Sequence, residues 1–115
     1  MTGGDQSTDL AVGDKIKFAS EAQRYTVQAR SNRYAICTKP FNARRTVIYT
    51  IIDFERGVRG RDNLIFGRGY ETRAECEANL AEMLRDECPV QVSHRHFGPL
   101  DIEAVEKARE PANVG

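Results

Sequence analysis

The run Arg45-Thr46-Val47-Ile48-Tyr49-Thr50-Ile51-Ile52-Asp53 decides how this chain is read. Side chains of an extended strand alternate between faces, so Val47, Tyr49 and Ile51 share one face and Ile48 and Ile52 the other. A strand that is apolar on both faces predicts a central position, covered on both sides. The cover must come from a chain of 115 residues, the size of a single domain.

Upstream of this run the pattern is one of short alternating segments. After a turn at Gly13-Asp14, Ile16 and Phe18 alternate with Lys15 and Lys17. Tyr25, Val27 and Ala29 alternate with Arg24, Thr26, Gln28 and Arg30; Ser31-Asn32 supplies a turn, and Tyr34, Ile36 and Thr38 alternate again. These segments predict a three-stranded antiparallel meander. Pro40 cannot donate to a sheet ladder, so Pro40 to Ala43 is expected to be a loop. Downstream, Gly57 and Gly60 flank a turn, and Leu64-Ile65-Phe66 is expected to close a further hairpin.

Thr72-Arg73-Ala74-Glu75 reads as a capping box that opens a helix. Cys76, Leu80, Met83 and Leu84 follow as one apolar stripe, and Pro89 is expected to stop the helix near Cys88. Val90 and Val92 then alternate with Gln91 and Ser93, a last strand. The expected fold is α+β: a curled, small-barrel-like antiparallel sheet with one amphipathic helix packed across it, over residues 13–100. Residues 1–12 read as a flexible arm and residues 101–115 as a marginal C-terminal helix or tail, anchored only by Ile102 and Val105.

Composition is that of a globular domain, with a hydrophobic fraction of 40%, and it excludes collagen-like or wholly disordered chains. The first residues carry neither the basic nor the apolar region of a secretory signal. The longest apolar stretch, Val47 to Ile52, is far short of the ~20 residues that cross a bilayer. No membrane association and a cytosolic location are therefore expected. Cys37, Cys76 and Cys88 are odd in number and irregular in spacing, which predicts reduced thiols.

Seventeen basic and seventeen acidic residues sum to zero, but they are segregated. Residues 15–68 hold twelve Lys or Arg against four acids, and residues 69–88 hold six acids against Arg73 and Arg85. One reading is a basic strand-and-loop surface that attracts phosphates through the planar guanidinium fork, with Tyr25, Tyr34 or Phe41 placed to stack on bases. Its candidate residues are Arg33, Tyr34, Arg44, Arg45, Arg56, Arg59 and Arg61. The other reading makes the same charges solvated strand rows, partly paired with the acidic helix within one chain or across a homodimer.

Other constellations carry less. Cys76, Cys88, His94 and His96 lack the short paired spacings of structural zinc sites, and Cys76 belongs to the helix's apolar stripe. Asp53 and Glu55 share a strand face, but no nucleophile or histidine stands near them in sequence. Gly67-Arg68-Gly69 lacks the third glycine of a dinucleotide fingerprint. Cys37 has no helix N-terminus near it to lower its pKa. No catalytic residue, metal or cofactor is expected.

From Val12 to Val92 the chain resembles a family of small proteins encoded by actinobacteriophages, to which no activity is assigned. The resemblance is carried by Val12-Gly13-Asp14-Lys15-Ile16, by Arg33 to Phe41, by Tyr49 to Gly57, and by Gly67 to Tyr70 with Cys76-Glu77. It implies a phage accessory protein acting in the cytoplasm of a bacterial host, and it transfers no site residue. The expected function is a non-enzymatic binding module whose basic sheet and loop surface contacts nucleic acid or an acidic partner. The alternative is a protein-interaction or self-assembling module that meets a host or phage protein through the acidic helix.

Overall fold

The computed structural model describes residues 10–40, 46–60, 63–65, 69–85 and 97–108. Among these residues, eight strands form one antiparallel sheet: β1 Lys15–Phe18, β2 Tyr25–Arg30, β3 Tyr34–Pro40, β4 Val47–Asp53, β5 Val58–Arg59, β6 Asn63–Ile65, β7 Gly98–Pro99 and β8 Ile102–Glu106. A single described helix, α1, spans Arg73–Arg85. The fold is α+β, a curled sheet with one helix laid across it.

The strand order is β7-β5-β4-β3-β2-β1-β8, with β6 pairing β4 beside β5. Strand β4 is central, as its two apolar faces require. Ile48 and Ile52 face an interior built from Leu10, Ile16, Phe18, Tyr25, Val27, Ala35 and Cys37. Tyr49 and Ile51 face the opposite side, where Ala29 and Ile36 pack against Leu80 and Leu84 of α1. Strand β3 runs one residue further than its proline suggested: Pro40 lies opposite Val47 at the strand's end, where the missing N–H interrupts no inner ladder bond.

The two edges of the sheet belong to one stretch of chain. Strand β7 pairs with β5, and β8 pairs with β1, and only Leu100 and Asp101 separate them. The sheet therefore curls until its edges meet along residues 98–106, enclosing the Phe18–Tyr25–Cys37 interior. Leu100, Ile102 and Val105 of this closing segment pack onto that interior. The helix expected within 101–115 is thus replaced, at Ile102–Glu106, by a strand integral to the domain. Phe18 pairs with Ile102 and Lys17 with Ala104, so Glu103 is an extra residue. That bulge lets Ile102 and Val105 both face inward despite a spacing of three, which had read as helical.

A second register shift lies between Val27 and Ala29 of β2. It turns the strand over: Val27 faces the interior opposite Cys37, whereas Ala29 lies opposite Ile36 on the helix side. At the start of β1, Asp14 is buried and accepts hydrogen bonds from Ala11 N, from Ala108 N and from Lys107 Nζ. It thereby ties the end of β8 to the Gly13 turn. Gly13 has φ of +98°, and a Cβ there would lie 3.2 Å from Ala108 Cβ.

Helix α1 opens as a variant of the capping box. Thr72 Oγ1 accepts from Glu75 N, but the Glu75 carboxylate accepts from Glu71 N rather than from the cap residue's own N–H. The buried stripe is Cys76, Leu80 and Leu84, with Met83 half-buried at its margin. The expected strand at residues 90–93 lies outside the described residues, as do Cys88, His94 and His96. No helix among the described residues is long and apolar enough to cross a membrane.

Candidate functional site

The sequence brings two arginines into built environments beside the β4–β5 hairpin, Arg33 at Asp53 and Arg59 opposite the neighbouring Ile52. Arg33, just before β3, donates from Nε to Asp53 Oδ1 and from Nη2 to Asp53 Oδ2, both at 3.0 Å. Its Nη1 lies 2.8 Å from Glu55 Oε1, and its guanidinium sits 5.1 Å from the Tyr34 ring. Asp53 is fully buried, and its Oδ1 also accepts from the backbone N–H groups of Glu55 and Arg56. The carboxylate therefore shapes the turn, while Gly57 closes it at φ +68°. The bonds to Asp53 raise the Arg33 pKa still further, keeping it fully charged. Asp53 and Glu55, weighed above as a carboxylate pair, are both ligands of this arginine. Arg56 is exposed on the same turn.

Arg59 is not at the surface. Its side chain is 0% exposed, because Arg59 lies opposite Ile52 and so points into the curled sheet. Nε donates to Asp101 Oδ1 at 2.8 Å, Nη2 donates to Ser20 Oγ at 3.1 Å and lies 3.5 Å from Glu21 Oε2, and the guanidinium stacks 3.8 Å from the Phe18 ring. Ser20 Oγ in turn donates to Asp101 Oδ2. Lys39 completes the network, pairing with Glu21 at 3.3 Å over the Tyr25 ring. These residues lock the seam where β1, β5 and the β7–β8 link converge. Burial pushes the Asp101 carboxyl up, but the bonds from Arg59 and Ser20 and the Arg59 charge outweigh it and hold it at about 2.

The aromatic candidates are likewise inside: Tyr25 is buried in the interior and Tyr34 is half-buried against the helix side. Arg44, Arg45, Arg61 and Phe41 lie outside the described residues. Of the basic residues in 15–68, eight are described, and five of these make ion pairs: Lys17 with Glu103, Arg24 with Glu106, Arg33 with Asp53 and Glu55, Lys39 with Glu21, and Arg59 with Glu21 and Asp101. Their partners come from the sheet and the 101–106 segment rather than from the acidic helix. The reason is topological, since α1 covers the outer face while β8 runs beside β1. Glu77 of the helix meets the sheet through Thr38 Oγ1 instead.

Ser20, Glu21, Lys39 and Asp101 had no place in the sequence-based site, because only closure of the sheet brings them to Arg59. Their one signal was the presence of acids in a segment whose apolar residues fit a bulged strand. Cys37 is buried inside, where burial pushes its thiol up to about 12 against the pull of Arg59 and Arg30, so it is a packing residue. Cys76 is buried under the helix, as its stripe position predicted. The fold and these clusters define a small curled-sheet domain with a charged seam. No protein-family model, curated protein or solved structure matches the chain.

Proposed function

We propose that this protein is a non-enzymatic nucleic-acid-binding module whose contact surface is formed by the arginines that the fold does not use internally. The observation that carries the reading is the sorting of charge. Arg59, Lys39 and Lys17 are consumed by acids of the fold, whereas Arg56 stands exposed on the β4–β5 turn. Pro40, Val47 and Ile65 are aligned on adjacent strands, so the basic segments that leave from Pro40 and Ile65 depart from one end of the sheet, the length of β4 away from the turn that carries Arg56. Arg44 and Arg45 belong to the first of them. A local excess of arginine at a sheet end suits the irregular phosphate spacing of a nucleic-acid backbone. The resemblance to actinobacteriophage proteins supports a role inside a bacterial host.

The test is binding of short labelled DNA and RNA by the Arg44→Ala/Arg45→Ala double variant. Weaker binding with a flatter salt dependence is expected, and unchanged binding removes these residues from the surface. A second reading has its own support. The outward face of α1 leaves Ala74, Glu75 and Ala78 exposed, with Glu71 exposed just before it, so an interaction with a basic protein face predicts a complex that survives the double substitution.

A further inference from the structure

Two carboxylates hold Arg33, and they differ in permanence. Asp53 is fully buried and takes Nε and Nη2 at 3.0 Å each, whereas Glu55, with a side chain 68% exposed, lies 2.8 Å from Nη1. The buried pair fixes the direction of the guanidinium, because parting it would strand a carboxylate away from water. An exposed ion pair is worth little in water and opens readily. Glu55 is therefore an exchangeable ligand on an immobilised arginine. A guanidinium carries more N–H groups than Asp53 takes, so departure of Glu55 opens the Nη1 end to another anion.

The surroundings favour that exchange. The Arg33 guanidinium sits 5.1 Å from the Tyr34 ring, and its side chain is 40% exposed, so it is seated against the domain yet reachable from solvent. Arg33 O accepts from Phe54 N at 2.8 Å, which sets the start of β3 against the turn that carries Glu55 and Arg56. Arg56 is exposed on that turn, and its backbone N–H is bonded to the same Asp53 carboxylate. A phosphodiester offers a guanidinium what a carboxylate offers it, an anionic pair of acceptor oxygens. We infer that Arg33 is a phosphate contact of the nucleic acid, oriented by Asp53 and occupied in the free protein by Glu55, which the phosphate displaces. The inference rests on the nucleic-acid reading and adds to it a second contact, the length of β4 from the strand end at Pro40, with a competitor built into the chain.

The experiment is a fluorescence-anisotropy titration of short duplex DNA with the full chain, its Glu55→Gln variant and its Glu103→Gln variant. Glu103 is exposed and pairs with Lys17 on the β1–β8 ladder, so its substitution removes the same charge elsewhere on the surface. Arg33 itself is kept, since its loss would leave Asp53 buried without its cation. Glu55→Gln should bind about 2- to 5-fold tighter than the parent, the factor by which an exposed ion pair competes, and tighter than Glu103→Gln. In the parent, the Arg33 Nε–H resonance should shift as DNA is added. Binding by the parent with no greater gain in Glu55→Gln than in Glu103→Gln, or with an unmoved Arg33 resonance, overturns this proposal and leaves the nucleic-acid reading standing. No binding by any of the three overturns both.

Discussion

Removing the guanidinium of Arg59 would leave Glu21 and Asp101 without their shared cation at the seam of the sheet. Breaking a buried pair in this way typically costs about 3–5 kcal/mol. Arg59→Met is therefore expected to unfold at much lower urea, whereas Arg56→Ala, on an exposed turn, should stay within about 0.5 kcal/mol of the parent. Asp101 adds a pH dependence of definite sign. Its folded pKa of about 2 lies below the ordinary carboxylate value, so its stabilisation is fully present above about pH 4 and is lost as pH falls towards 2. Urea midpoints measured from pH 6 to pH 2 should show this loss, and Asp101→Asn should flatten it. Asp14, whose carboxyl is also held low against its burial by bonds from Lys107, Ala108 and Ala11, contributes with the same sign. None of this was readable from residue types alone. Arg59 follows Val58 in a two-residue strand, and its inward direction depends on its pairing with Ile52.

Among the elements, those with a strong local pattern were legible and those set by register were not. Strand β4 declared itself by being apolar on both faces, and α1 by its cap and its Cys76–Leu80–Leu84 stripe. Thr72→Ala should cost about 1 kcal/mol by removing the cap that Glu75 N donates to, measurable as a shift in the urea midpoint. Leu84→Ala, which empties the contact between helix and sheet, should cost about 2–5 kcal/mol. Strand β8 was hidden by its bulge, since one extra residue at Glu103 gives Ile102 and Val105 the spacing of a helix face. As a strand that closes the domain, it cannot be dispensed with: a chain ending at Leu100 should lose cooperative unfolding. A terminal tail would have tolerated the same truncation.

At the scale of the whole molecule, net zero charge hides two populations of basic residue. One is built into the fold by acids that lie far away in sequence, half of them (Asp101, Glu103 and Glu106) on the segment that closes the sheet. The other is represented among the described residues by Arg56, exposed on the β4–β5 turn, and the proposed surface adds Arg44 and Arg45 to it. The sequence showed the excess of positive charge but not its division, because closure of the sheet decides which bases receive a partner. The most direct test of that division is a fluorescence-anisotropy titration of the intact protein with short duplex DNA across a range of salt concentrations. If Arg44 and Arg45 each neutralise a phosphate, log K should fall against log salt with a slope of about −2. Absence of binding at low salt would contradict the account and leave the exposed arginines as solvated surface.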